Sequence, residues 1–210
     1  RMGEVFAHLP AVRAQIADSL LAVEGVSCSV CHQIRDERLG EKSSFSAGFV
    51  VDVDAPSGRR VAYGPYFVDA GRQSVMRSSA GYLPVQATHI QGSEICATCH
   101  TLFTHSLDDE GNVIGEFPEQ VPYLEWKHSA YYGEQSCQSC HMPVVEGATA
   151  IAGVLGVPRD DVSRHVFRGG NFFMPLILNR HRGELGVQAL PNELSTMSQR
   201  TADHLGRAAA

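Results

Sequence analysis

Three short words in the sequence share one pattern: SCSVCHQ from Ser27, ICATCHT from Ile95 and SCQSCHMP from Ser136. Each holds two cysteines three residues apart, the second followed at once by histidine, and together they use all six cysteines of the chain. Cysteines at i and i+3 lie on one helical turn, so both can bond one flat, rigid molecule. A histidine just after the second cysteine can then swing beneath that molecule's centre. Haem meets these demands: its two vinyl groups take the thiols as thioethers, and the histidine ligates the iron. The spacing therefore predicts three covalent c-type haems. Their anchors are Cys28 and Cys31 with His32, Cys96 and Cys99 with His100, and Cys137 and Cys140 with His141.

Two other chemistries use cysteine pairs. Zinc takes four ligands, and three pairs divide awkwardly into such sites while leaving the adjacent histidines unexplained. Three disulfides would suit an exported chain, but cysteines three apart rarely bond each other outside redox enzymes, and the copies are too uniform for an arbitrary framework. A CxxCH word arises by chance in such a chain about once in a hundred, so three together are no accident.

An iron that only carries electrons needs a sixth ligand, and seven histidines remain after the three proximal ones. His128 sits in VPYLEWKHSAYYG, where Pro122 suits a first helical turn and Gly133 a stop, predicting a helix over 122–132 with Leu124 and His128 on one face. Trp126 and Tyr131 are candidates to pack on haem edges. His165 precedes the Gly169-Gly170 turn, whose glycines allow backbone to lie close to a macrocycle. Asn171 then reads as the cap of an apolar helix with Pro175 in its first turn. His89 lies just upstream of the second motif, where the incoming segment crosses another haem. His89, His128 and His165 are thus the expected distal ligands. His105 and His8 are reserves, His181 and His204 read as surface residues, and Met76 is an alternative thioether ligand set against a plain core role. Met142 is too close to its own motif to reach the opposite face.

These sites need elements to hold them. The chain has 210 residues, so three haems leave about 70 residues for each, and the haems must supply much of the core. The expected fold is mainly α: a few short helices, long loops and small β-hairpins organised around the covalent haems. It forms a single triheme cytochrome domain over residues 1–210. One hairpin is predicted in SAGFVVDVDAPSGRRVAYGPYFVD around Pro56-Ser57-Gly58, covering the first haem, and a second in FTHSLDDEGNVIGEF with its turn at Asp109 to Asn112. That second turn lacks the ligand spacing of an EF-hand. Leu194, Met197, Thr201 and Leu205 recur at roughly helical spacing in a terminal helix over 191–210, with Asn192 as its cap. The absence of a stop signal after Ala208 to Ala210 suggests a chain truncated at its C-terminus.

A net charge of −6 without any Lys/Arg run argues against a nucleic-acid partner. No apolar run is long enough to span a bilayer. Haem c is attached outside the cytoplasm, so the expected location is periplasmic or extracellular, and the leading arginine suits a processed product. Haem propionates would add further negative charge, favouring docking to a basic patch on a redox partner protein.

The words EGVSCSVCHQI, SEICATCHTL, YLEWKHSAYY followed by SCQSCHMP, and RHVFRGGNFF resemble the multihaem cytochrome c family related to cytochrome c-554. The resemblance runs from about Glu24 to Leu185. It implies closely packed, mostly bis-histidine haems that relay electrons between partners, and it supports the nine CxxCH residues named above. Members of the family often carry more haems and sometimes a β-rich region downstream. Neither occurs here, which implies a small member or a fragment.

The function expected is therefore electron transfer, not enzymatic turnover. One alternative is a piece of a nitrite- or hydroxylamine-type multihaem oxidoreductase, which needs an open iron. No motif departs from CxxCH to mark one. Another is a subunit of a polymeric haem wire, homo-oligomer or larger cytochrome complex, in which a neighbour donates a distal histidine.

Overall fold

A computed structural model describes residues 26–56 and 58–208 of the chain. His8 and Ser57 of the expected turn lie outside the described residues. The described residues form eight α-helices and three two-stranded sheets, a mixed helix–strand architecture joined by long connections. Among them only two helices exceed eight residues.

The first and third CxxCH words each form a helical turn, α1 (Cys28–Gln33) and α5 (Cys137–His141). The second begins in α3 (Glu94–Ala97) and continues as hydrogen-bonded turn, with the amides of Cys99 and His100 both donating to the Cys96 carbonyl. Ser27 and Ser136 hold extended backbone before α1 and α5, as N-caps do, and the Ser136 hydroxyl accepts from the Ser139 amide.

The expected first hairpin does not form. Residues 49–56 make no strand. Instead β1 (Val61–Gly64) pairs in parallel with β2 (Leu83–Gln86), across the intervening helix α2 (Ala70–Ala80). Parallel strands need such a crossover. Asp69 starts it, its carboxylate accepting from the Gly71 and Arg72 amides at 3.0 and 3.1 Å, and Gly81 ends it at φ +77°. Met76 lies on α2 with its side chain 45% exposed, not in the core.

The second hairpin forms as expected. Strand β3 (Leu102–Leu107) pairs antiparallel with β4 (Val113–Gln120). Asp108 closes the turn by accepting from the Asn112 amide at 2.7 Å and its side-chain amide at 3.0 Å, with Gly111 at φ +85°. His105 stands within β3, opposite Glu116.

Helix α4 (Pro122–Lys127) is shorter than predicted. His128 Nδ1 lies 2.7 Å from the Leu124 carbonyl, and Ser129 Oγ donates to that of Trp126 at 2.8 Å. Side chains that take helix carbonyls in this way compete with the next turn. Beyond a minor strand pair, β5 (Thr149–Ala150) with β6 (Pro158–Arg159), come α6 (Phe173–Arg180), α7 (Arg182–Leu185) and α8 (Pro191–Ala208). Asn171 Oδ1 accepts from the Met174 amide at 2.9 Å, the capping role expected of it. In α8 the cap differs from the Asn192 expected. Pro191 opens the helix, and the Glu193 carboxylate reaches back to the Leu190 amide at 2.8 Å.

Among the described residues the buried apolar side chains are few: Ile34, Ile95, Ala97, Tyr123 and Leu194, with Pro84 and Pro175 besides. The first four gather with Ser44, Ser93, Thr98 and Thr101 around the second motif. Gly40, at φ +82°, belongs there too: a Cβ would stand 2.8 Å from Glu94 Cγ and 2.9 Å from the Tyr123 hydroxyl. In α8 the inward residues are Leu194, Ser198 and Thr201, whereas Met197 and Leu205 are exposed. Helix α6 buries only Pro175 and leaves Phe173, Met174, Leu176 and Ile177 open.

Candidate haem centres

The three motifs join at the second. On one side, the Thr98 hydroxyl donates to the Ser44 carbonyl at 2.5 Å and the Ala47 amide to the Thr98 carbonyl at 2.7 Å, tying in the loop that follows the first motif. His89 Nε2 adds a bond of 2.8 Å to the Ile34 carbonyl. On the other, the Cys137 amide donates to Ser93 Oγ at 3.0 Å, and Gln138 Nε2 to the Gly92 carbonyl at 2.7 Å. Two buried polar atoms lack partners here, Thr101 Oγ1 and Gln138 Oε1, each beside or within a motif.

All six cysteines are free. Cys96 and Cys137, from different motifs, hydrogen-bond to one another, and that bond, with burial, pushes the Cys96 thiol up. Burial also raises Cys31 and Cys99; the charge of Cys28 adds to the first effect and that of Cys31 to the second. Thiols of all three motifs thus lie within electrostatic reach, and the raised ones are protonated at neutral pH.

The histidine rings carry a further signal. A carbonyl oxygen can only accept, so a ring nitrogen bound to one must carry the proton. His32 Nδ1 donates to the Tyr63 carbonyl at 2.5 Å, His141 Nδ1 to that of Arg168, and His128 Nδ1 to that of Leu124. In all three the lone pair is left on Nε2, the arrangement that orients a metal-ligating imidazole. His89 has the opposite tautomer: Nε2–H serves Ile34, the lone pair is on Nδ1, and the ring meets Tyr63 edge-on at 4.9 Å. The His100 ring makes no hydrogen bond among the described residues.

His165 faces His32. Their ring centroids are 6.1 Å apart and their planes 33° apart, with Phe167 edge-on to His165 at 6.0 Å. A metal–imidazole bond is about 2.0 Å and the ring centre lies about 1.1 Å behind the nitrogen, so two imidazoles on opposite sides of one metal have centroids about 6.2 Å apart. His89 and His128 are not brought against another motif's histidine. Trp126 stacks on Tyr123 at 5.6 Å and donates Nε1–H to the Gln135 carbonyl, while Tyr131 is exposed.

Among the described residues no three His, Cys, Asp or Glu side chains converge as a self-sufficient metal cluster. A c-type haem asks for less: two thiols on one turn and one imidazole on each face, since the macrocycle itself supplies the equatorial nitrogens. The donor set at His32 fits that demand, with Cys28 and Cys31 on its own turn and the His165 ring 6.1 Å from its own. The Tyr63 carbonyl orients the His32 ring as that of Arg168 orients His141, and backbone groups leave no trace in a motif. Comparison with protein-family models, curated proteins and solved structures finds no match to this chain.

Proposed function

We propose that the chain is a triheme c-type cytochrome, similar in kind to the c-554 family, that relays electrons between redox partners outside the cytoplasm. The observation that carries this reading is the His32–His165 pair. The two imidazoles lie with ring centroids 6.1 Å apart, close enough that both would hold one iron, and one of them stands at the end of a CxxCH turn and is fixed by Tyr63 in the tautomer that leaves Nε2 free to ligate. On this reading Cys28 and Cys31 anchor the first haem, and Cys96, Cys99 with His100 and Cys137, Cys140 with His141 anchor the others. His89 and His128 are the remaining distal candidates, His89 through Nδ1. Bound haem supplies one-electron chemistry, and the protein's part is to hold, orient and space it. The sparse core and the open apolar face of α6 support the same reading, since a fold of this size needs more apolar burial than its own side chains supply.

Intact-mass measurement of the exported protein, with acid–acetone extraction and an oxidised-state spectrum, tests the proposal. Three haems that survive extraction, all low-spin, are expected. Extractable haem, or thiols that titrate in the holoprotein, would overturn it. One high-spin haem would instead favour the oxidoreductase alternative.

A further inference from the structure

A second feature lies beside the third motif. After α5 the chain runs back along residues 162–164: the Val145 amide donates to the Val162 carbonyl at 2.8 Å, the Arg164 amide to that of Pro143 at 2.9 Å, and the Arg168 amide to that of His141 at 2.8 Å. This doubled segment carries Arg164 and Arg168. Opposite it, α8 turns Leu194, Ser198 and Thr201 inward, which leaves Arg200, Asp203, His204 and Arg207 along another face at i, i+3, i+4 and i+7. Between the two lies a cavity of about 230 Å³ lined by those residues together with Pro143, Val144 and Glu146.

Its charge is unusual for this chain. Four guanidinium groups meet two carboxylates, leaving an excess of two positive charges in a protein whose net charge is −6. None of the four side chains makes an ion pair or hydrogen bond with the described residues. Asp203, whose Oδ1 accepts from Gln199 Nε2 at 2.8 Å, makes no ion pair with any of them among the described residues. Unpaired like charges gathered around one hollow repel, and guanidinium forks are shaped to hold carboxylate or phosphate oxygens two at a time.

We propose that this cavity is an anion site built for a dianion of the carboxylate or phosphate class. Two sources present that chemistry: the paired propionates of a haem attached at the third motif, or a free anion from solution. The site itself stands on the arginines; only its propionate source rests on the triheme reading.

The test uses the holoprotein at low ionic strength, where exposed charges are least screened. Inorganic phosphate and succinate are titrated by calorimetry, and haem potentials are followed by spectroelectrochemistry, in the wild type, in Arg200→Gln/Arg207→Gln and in the control Arg180→Gln on α6. Saturable binding that weakens at least about tenfold in the double variant, and not in the control, assigns the site to a free anion. No binding, but a lower potential for one haem in the double variant alone, assigns it to propionates, because a lost positive charge favours the oxidised iron. Absence of both effects, or equal effects in double variant and control, overturns the proposal. The replaced side chains are exposed on α8, and Arg207→Gln alone is the fallback should the pair misfold. The haem count by mass is read separately, and the phosphate arm reports on the cavity even in a chain that carries no haem.

Discussion

Replacing His165 with alanine removes one of two imidazoles whose centroids are 6.1 Å apart. If the pair ligates one iron, the variant keeps its thioethers at Cys28 and Cys31 and its bond to His32, and loses only the sixth ligand. One haem in three then turns high-spin, and carbon monoxide titrates to one equivalent per chain. Added imidazole restores the low-spin spectrum, and the haem's potential rises because the ferric state loses a ligand that favours it. A purely structural role for His165 gives a different result. The ring's edge contact with Phe167 at 6.0 Å is worth about 0.5–1.5 kcal/mol, so the variant would lose that much stability with unchanged spectra. The two outcomes differ in kind, and the spectrum alone separates them. A folded variant with three low-spin haems that refuses carbon monoxide would refute the pairing.

Two further effects concern the node around the second motif. Thr98→Val removes the hydroxyl that donates to the buried Ser44 carbonyl at 2.5 Å and costs about 1–3 kcal/mol; an unchanged urea midpoint would count against it. Burial, followed by the Glu94 carboxylate, pushes the Tyr123 hydroxyl up to about 12. The folded chain thus holds a proton that the unfolded chain releases near pH 10, so this contribution is level below about pH 10 and falls by up to about 3 kcal/mol as pH approaches 12. Tyr123→Phe should flatten that part of the stability curve, and an identical slope in the variant would contradict the assignment.

What the sequence made legible was local. The motif turns at Cys28 and Cys137, the Asp108–Asn112 hairpin and the Asn171 cap each follow from chemistry within a few residues. The parallel pairing of Val61–Gly64 with Leu83–Gln86 joins segments some twenty residues apart, beyond the reach of a local turn signal such as Pro56-Ser57-Gly58, although Asp69 and Gly81 bracket α2 with ordinary capping signals. Helix α4 is shorter than Pro122 and Gly133 allow, because they mark where a helix can run, not where His128 and Ser129 take its carbonyls. The facing of His165 and His32 spans 133 positions, and no spacing rule reaches that far. The arginines of the cavity were equally hidden, since Arg164 and Arg200 become neighbours only when α8 docks.

If the three motifs hold haems, the direct links between them bear on conduction. Electron tunnelling falls off exponentially with separation, so slack between neighbouring centres costs more speed than almost any other flaw. Here several hydrogen bonds link the first motif's region to the second, among them Ala47 to Thr98, Thr98 to Ser44 and His89 to Ile34, and others link the second to the third, among them Cys137 to Ser93 and Gln138 to Gly92. If the three motifs carry haems, these struts set both gaps between neighbouring centres. Fraying of α2, of the β5–β6 pair or of α8 would then leave both intervals unaltered, and such a relay would tolerate a softer exterior than its exposed surface suggests.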